Sequence, residues 1–383
     1  MNDSDGFFCQ ESAPTSEADS WQKMVSGFPP RMQLVYSLWK DYRGIPCCIK
    51  PTPVRKNEES KRSLSFCFAG EKEPEITKNL FETFLGKSES SLGESESRYE
   101  SFREKFHEAV GGSGHELHRI TTLHSSSLCA FLWFWGVAKD NPIKLSLNEC
   151  DAEFYDSYFE VKNPVFRSPS NIDVVLTGKA GGQDVVLYLE SKFSEYICNA
   201  GSGTVRDRKT GVFSNAYTKD STVKSVLESL SDTKQFGKYA LVKKETTTPD
   251  DDSFNLFWND SACDAPLYAE GVKQMFAHYI GIRKNKDSDN PYRKDERLSR
   301  LSDIEHDPDV RLYLGTVLFD FKDEKLKPYL ESYSSLYECV AKELNQENKS
   351  NQNSLKLIEK PLLYGTDIPP AILPTKVRAF YDF

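Results

Sequence analysis

Three charged residues interrupt two apolar, β-branched runs in the stretch "SNIDVVLTGKAGGQDVVLYLESKF", residues 170–193. The first run carries Asp173, and the second carries Glu190 and, two positions later, Lys192. Strand interiors rarely bury charge without a partner. Because side chains alternate across a strand, Glu190 and Lys192 share one face. If the two runs pair as neighbouring strands, Asp173 lies across from them, and two carboxylates and an ammonium group converge.

Such a set has an evident chemical use. Two carboxylates held close together repel each other, and burial strengthens that repulsion. A divalent cation relieves it, and Mg²⁺ prefers oxygen ligands, keeps several waters and is commonly held by carboxylates plus a substrate phosphate. The ion polarises a phosphoryl oxygen and makes bound water more acidic. A lysine beside it holds the attacking water or neutralises charge in the transition state. The set therefore suits phosphodiester hydrolysis.

An aspartate, a spacer and then Glu-x-Lys on consecutive strands resembles the PD-(D/E)xK nuclease superfamily, which includes restriction endonucleases and the RecB and lambda exonuclease nuclease domains. The wider chain also resembles a group of uncharacterised bacterial proteins classed as restriction endonucleases. The resemblance implies that Asp173 and Glu190 bind the metal, that Ser191 adds its backbone carbonyl, and that Lys192 assists the nucleophile. The sequence departs from the superfamily pattern at Ile172, where a proline would stand.

Two other interpretations of the motif remain open. The first is a surface salt bridge between Glu190 and Lys192 beside a hairpin acid, with no catalytic role. The second concerns "FEVKN", which places Glu160 and Lys162 at the same spacing. No suitable acid-bearing strand precedes that segment, so it is interpreted as an ordinary first or edge strand.

Further metal ligands are implied by the resemblance. RecB-like nucleases often carry a histidine on the helix before the first strand, and His124 matches that position. An imidazole ligand would shift the preference from Mg²⁺ toward Mn²⁺. The alternative is a histidine at a helix start, beside the polar residues 125–127. Glu116 is a second candidate from the same segment.

The same nucleases carry a Gln-x-x-x-Tyr pair on a helix after the Glu-x-Lys strand. Gln274 is the favoured match, with His278 in place of the tyrosine, because its segment has the better helical pattern. Gln235 and Tyr239 form a competing match with the expected residue types. Both pairs could equally be plain helix surface.

The chain has net charge −9 and a pI near 5.4, so any case for nucleic acid must be local. Residues 31–62 contain eight basic and three acidic residues, and residues 283–300 contain seven basic and four acidic ones. Lysine and arginine in such runs contact phosphates, although solvated charged loops are also common. The predicted DNA contacts are Arg283, Lys284, Lys286, Arg293 and Lys294.

Other features favour a cytoplasmic protein with no membrane segment. The longest apolar run, residues 128–138, is too short to span a bilayer. The acidic N-terminus lacks the basic start and apolar core of a signal peptide. The nine cysteines are scattered without metal-ligand spacing, which is typical of reduced thiols.

The order of the predicted elements indicates an α/β fold, with a restriction-endonuclease-like mixed central sheet flanked by helices. The core spans residues 115–325, after a disordered acidic tail at 1–20 and an N-terminal extension at 21–114, and before a C-terminal helix and tail at 326–383. The predicted elements are a helix at 116–138, strands at 157–166, 171–176 and 184–193, an insertion at about 199–265, a helix at 266–284, a strand at 311–321 and a helix at 324–346.

The expected activity is metal-dependent hydrolysis of DNA, in defence against foreign DNA. The alternatives are a catalytically inactive nucleic-acid-binding or protein-binding module of the same fold, and a structural protein with a chance motif. A nuclease that cuts both strands would suit a homodimer, although no residue pattern indicates one.

Overall fold

The chain divides into two compact units, one formed from residues 1–136 with 370–383 and the other from residues 137–369. Asp173, Glu190 and Lys192 all belong to the second unit. The computed structural model describes residues 47–51, 64–68, 73–85, 92–111, 125–166, 169–193, 209–233, 239–244, 252–258, 270–287, 290–293, 295–324, 326–350 and 355–369.

The first unit combines a two-stranded antiparallel sheet with helices that pack through aromatic side chains. Phe102 makes edge-to-face contacts with Phe81 and Phe131, at centroid distances of 5.4 and 5.1 Å. The last helix begins where the Ser125 hydroxyl accepts a hydrogen bond from the Leu128 N–H, at 3.2 Å. The elements are β1 (Cys47–Pro51), β2 (Leu64–Phe68), α1 (Glu73–Leu85), α2 (Leu92–Val110) and α3 (Ser126–Phe134).

Helix α3 is the described part of the helix predicted at 116–138. Its residues are nearly all buried, as the apolar run predicted. It is shorter than predicted, and residues 116–124 lie outside the described part of the chain.

The second unit is built on an antiparallel meander of four strands. The turn between the third and fourth strands consists of Gly181 and Gly182, with φ of +59° and +87°. Two successive positive φ angles favour glycine and match the twist of a two-residue hairpin, which confirms the predicted connection. The strands are β3 (Ile143–Leu147), β4 (Cys150–Asn163), β5 (Ser170–Ala180) and β6 (Gln183–Lys192).

Parallel strands extend the sheet beyond β6. Strand β10 (Arg311–Leu318) pairs with β6, and both β11 (Leu355–Leu357) and β12 (Leu362–Leu363) pair with β10. The main order is β11-β10-β6-β5-β4-β3, so β6 lies inside the sheet, which explains its nearly continuous apolar sequence. Residues 355–363, predicted as part of a C-terminal tail, thus supply two strands of the sheet.

The predicted insertion contains a small antiparallel sheet of its own, in the order β7-β9-β8. Its elements are β7 (Lys209–Phe213), α4 (Asn215–Thr218), α5 (Ser221–Thr233), β8 (Tyr239–Lys243) and β9 (Phe254–Trp258).

Helices flank the central sheet, as predicted for a mixed α/β fold. Helix α6 (Glu270–Asp287) packs against β4, β5 and β10, and α7 (Glu296–Glu305) packs against β6. Helix α8 (Lys327–Ser350) packs against β11 and α5. Helix α6 reaches the sheet close to the candidate residues.

A buried polar network fixes α7 and the turn before it to the sheet. The Tyr188 hydroxyl donates to Glu305 Oε1 at 2.5 Å, and Asn285 donates to Glu305 Oε2 at 2.9 Å. Arg293 forms a buried ion pair with Glu305 and donates to Asn163 Oδ1 at 2.7 Å. Burial raises the pKa of the Tyr188 hydroxyl, and Arg293 opposes that rise only in part. Tyr188 therefore stays a neutral donor to Glu305.

Two further observations concern the described residues alone. None of their helices has both the length and the apolar character needed to cross a bilayer. Cys129, Cys150 and Cys339 are free thiols.

We predict that Arg293→Met costs about 3–5 kcal/mol of unfolding free energy, because Glu305 would keep a buried charge without its partner. The control is Arg300→Met, which removes an exposed pair with Glu296 and should cost at most about 1 kcal/mol. Urea unfolding of the two variants measures both values. Equal, small losses would contradict a stabilising role for the network.

Candidate active site

The central sheet splits between β5 and β6 at the candidate residues. The β5–β6 ladder ends at the pair Val174 and Leu189, although both strands continue. Beyond it, β5 stays paired with β4 and β6 stays paired with β10. Asp173 and Glu190 are the next residues on each side, so they flank the point where the strands part. The adjacency predicted from strand alternation is confirmed.

Glu190 lies in a buried cluster with two nitrogen donors. Lys192 Nζ donates to Glu190 Oε1, and His278 Nε2 of α6 lies 2.7 Å from Glu190 Oε2. All three side chains are buried. Burial alone would raise the pKa of Glu190, but Lys192 and His278 together lower it to about 2. Glu190 is therefore ionised, and because a carboxylate only accepts hydrogen bonds, His278 donates through Nε2.

The surroundings of Asp173 disfavour its charged form, in contrast to those of Glu190. It is half-buried, and its Oδ2 accepts a hydrogen bond from the Ser191 N–H at 2.7 Å. Burial, together with the neighbouring Glu190 and Glu160 carboxylates, raises the pKa of Asp173 well above its usual value. Lys192 and the Ser191 N–H lower that pKa, but too weakly to offset the rise. Negative charge at this position is thus only partly compensated.

Glu160 is a third carboxylate beside Asp173. Its flanking residues pair with Val174 and Ile172, so it lies opposite Asp173 on β4. Its φ is +48°, in the left-handed region, although it stands inside a strand. A non-glycine residue held there costs on the order of 1–3 kcal/mol, and such strain often occurs at functional sites. Glu160 belongs to the site, which the interpretation of "FEVKN" as an ordinary strand did not foresee.

These residues form a row across four neighbouring strands. The row runs from Glu160 on β4 through Asp173 on β5 and Glu190 on β6 to Thr316 on β10, which pairs with Glu190. Within the described residues, the buried Thr316 Oγ1 and His278 Nδ1 have no hydrogen-bond partner. Polar atoms in that state are uncommon in protein interiors and call for an explanation.

The fit to a divalent cation is partial. Among the described residues, no group of three or more His, Cys, Asp and Glu side chains is arranged as a ready metal site. Both Glu190 oxygens already accept hydrogen bonds. The uncompensated charge around Asp173 nevertheless favours a cation, and carboxylate and carbonyl oxygens are the ligands that Mg²⁺ prefers.

The other predicted site residues fall into different surroundings. Gln274 is exposed, one helical turn from His278. Arg283 is half-exposed and lies 3.3 Å from Asp220, and the exposed Lys284 donates to the Val165 carbonyl at 2.5 Å. Lys286 is on α6, and nothing further is described of its side chain. Outside the described residues lie His124, Glu116, Gln235 and Lys294.

Arg293 departs from its predicted role as a phosphate contact. It is buried, and its guanidinium group is held by Glu305 and Asn163. The basic run around it suggested an exposed position, but the turn at 290–293 points this side chain inward. Its charge therefore serves the interior network.

Comparison of the chain with known protein families, with curated proteins and with solved structures finds no match. The function is therefore inferred from the geometry and electrostatics of the row itself.

We predict that Asp173→Asn stabilises the protein near neutral pH in the absence of metal, raising Tm by about 2–4 °C. The folded-state pKa of Asp173 lies above its unfolded value, so the wild type loses stability as pH rises from the unfolded value of about 4 toward the raised folded-state value. The amide removes that penalty and still accepts the Ser191 N–H.

The advantage should therefore shrink as pH falls toward about 4. Asp184→Asn is the control, because Asp184 is a hairpin residue 3.4 Å from Lys179 with largely exposed side chains in both partners. Scanning calorimetry of the two variants at several pH values measures these Tm changes. A lower Tm for Asp173→Asn near neutral pH would show that the carboxylate is adequately compensated.

Proposed function

We propose that the protein is a metal-dependent nuclease that hydrolyses phosphodiester bonds in DNA. The observation that carries the proposal is the pair Asp173 and Glu190 at the parting of β5 and β6, with Lys192 hydrogen-bonded to Glu190. The order β4, β5, β6, α6, β10, with β10 parallel to β6, supports a restriction-endonuclease-like fold as part of the same proposal. A role in defence against foreign DNA would follow from the resemblance to restriction endonucleases.

The residues of the row would divide the work. Asp173 and Glu190 would hold Mg²⁺ or Mn²⁺, and Ser191 would add its backbone carbonyl. The bound ion would supply polarisation of the phosphoryl oxygen and a more acidic water. Lys192 would orient the attacking water or neutralise the transition state. His278 would fix the Glu190 carboxylate through Oε2, as neighbouring hydrogen bonds fix other metal-binding side chains.

The pKa values of Glu190 and Asp173 are shifted in opposite directions, which suits their separate roles. Glu190 is ionised and oriented by Lys192 and His278. Burial and the charges of Glu190 and Glu160 raise the pKa of Asp173, and an added cation would compensate those charges. Loading of a divalent cation would lower that pKa and release any proton bound to Asp173, so that cation binding strengthens as pH rises.

A second candidate function is a nucleic-acid-binding module of the same fold without catalysis. Lys192 and His278 already occupy both oxygens of Glu190, which is the arrangement expected when ion pairing replaces metal binding. Cleavage assays distinguish the two functions, because a binding module retains DNA without cutting it.

We predict that the purified protein cuts plasmid DNA with Mg²⁺ or Mn²⁺ and that EDTA abolishes cutting. Lys192→Ala should lower the single-turnover rate at least about 100-fold, because it removes the cation beside the reacting phosphate. Lys179→Ala is the control, since Lys179 is an exposed lysine on β5 that pairs with the hairpin acid Asp184.

Cutting that survives Lys192→Ala at the control rate would exclude the proposed site. An intact plasmid that is nevertheless shifted on a gel would favour the binding module.

A further inference from the structure

Two exposed aromatic side chains lie near the row formed by Glu160, Asp173, Glu190 and Thr316, whose three carboxylates make it acidic. Among the described residues, the large hydrophobic side chains that remain exposed are Phe166, Val242 and Tyr292, at 42%, 47% and 40%. Val242 belongs to β8 of the small sheet. Phe166 follows β4, and Tyr292 lies in the turn before α7.

The turn that carries Tyr292 is fixed to the end of β4. Asn290 donates to the Lys162 carbonyl at 2.8 Å, and Arg293 donates to Asn163 at 2.7 Å. Phe166 stands three residues after Asn163. These hydrogen bonds hold the turn with Tyr292 at the end of the sheet where β4 leads into Phe166, so both exposed aromatic residues lie at that end.

Two lysines flank a pair of aromatic rings that includes Phe166. Lys284 Nζ lies 5.9 Å from the Phe166 centroid, and the Tyr217 ring meets Phe166 edge to face at 5.0 Å. Lys273 Nζ lies 5.8 Å from the Tyr217 centroid. These cations give the aromatic surface a charge complementary to phosphate, whereas an uncharged apolar partner would gain nothing from them.

Two independent paths place this surface close to the acidic row. Along β5, Ser170 pairs with Asn163 and precedes Asp173 by three residues, which is about 10 Å. Along α6, Lys284 at Phe166 lies six positions after His278 at the row, which is about 9 Å. Stacked nucleotides advance about 3.4 Å each, so roughly three would cover this distance.

We propose that Phe166 and Tyr292 form a stacking surface for unpaired bases, flanked by Lys273 and Lys284 as phosphate contacts. The inference rests on the proposed function and specifies its substrate as nucleic acid with a single-stranded segment beside the scissile bond. Aromatic side chains and lysines together are the usual means of holding single strands. A closed duplex offers no base faces to the two rings, because its bases already stack on one another.

Fluorescence anisotropy in EDTA tests this inference without cleavage. The probes are a fluorescent oligothymidylate and a duplex of equal length. Phe166→Ala and Tyr292→Ala should each weaken single-strand binding at least about fivefold, as expected for the loss of one stacked base. Duplex binding should change less than about twofold.

Two control variants complete the design. Val242→Ala removes a similarly exposed apolar side chain on β8 of the small sheet and should leave both affinities unchanged. Phe166→Trp keeps an aromatic face and should retain single-strand binding, which separates stacking from folding. A Tm equal to the wild-type value verifies that each variant is folded.

Wild-type affinity of Phe166→Ala for the single strand would overturn the proposal, as would equal losses for single strand and duplex. Failure of the wild type to bind the single strand would overturn it as well. A selective loss of single-strand binding in a protein that cuts no DNA would support the stacking surface while the nuclease proposal fails.

Discussion

The candidate site depends on the parting of β5 and β6 after Val174 and Leu189. Up to that pair, the two strands satisfy each other's backbone groups, and beyond it they follow different neighbours. The Ser191 N–H finds its acceptor in the Asp173 carboxylate, which therefore stays at the parting. Two carboxylates are brought together here because the sheet ends its pairing between them, and their shared charge follows from that position.

The surrounding helices determine how the charge is distributed. Helix α6 supplies His278 as a hydrogen-bond donor to Glu190, and Lys192 supplies a second donor from the same strand as Glu190. Asp173 accepts a hydrogen bond from the Ser191 N–H and has the Glu160 carboxylate beside it. Glu190 is thus held ionised, whereas burial and the neighbouring carboxylates raise the pKa of Asp173, a contrast that favours an added cation. The same helix continues to Lys284, and so connects the row with the aromatic residue Phe166.

The sequence predicts Asp173, Glu190 and Lys192 at the site but not the neighbouring Glu160. Period-two alternation gave the shared face of Glu190 and Lys192, and the glycine pair at 181–182 gave the hairpin that brings Asp173 across. The position of Glu160 depends on the β4–β5 register and on its positive φ, and no local pattern encodes either.

The role of Arg293 was missed for a related reason. A run of charged residues usually marks a solvated surface, whereas burial of this guanidinium depends on Glu305, which follows in the next helix. The C-terminal strands were missed because β11 and β12 contain only a few residues each, too few for a periodic pattern.

Titration of the metal-free protein with Mn²⁺, followed by calorimetry near neutral pH, tests the central claim most directly. We expect one binding site in the wild type, proton release on binding, and loss of both in Asp173→Asn. Equal Mn²⁺ affinity in the wild type and Asp173→Asn, or no binding by the wild type, would contradict the claim that the uncompensated carboxylates form a cation site.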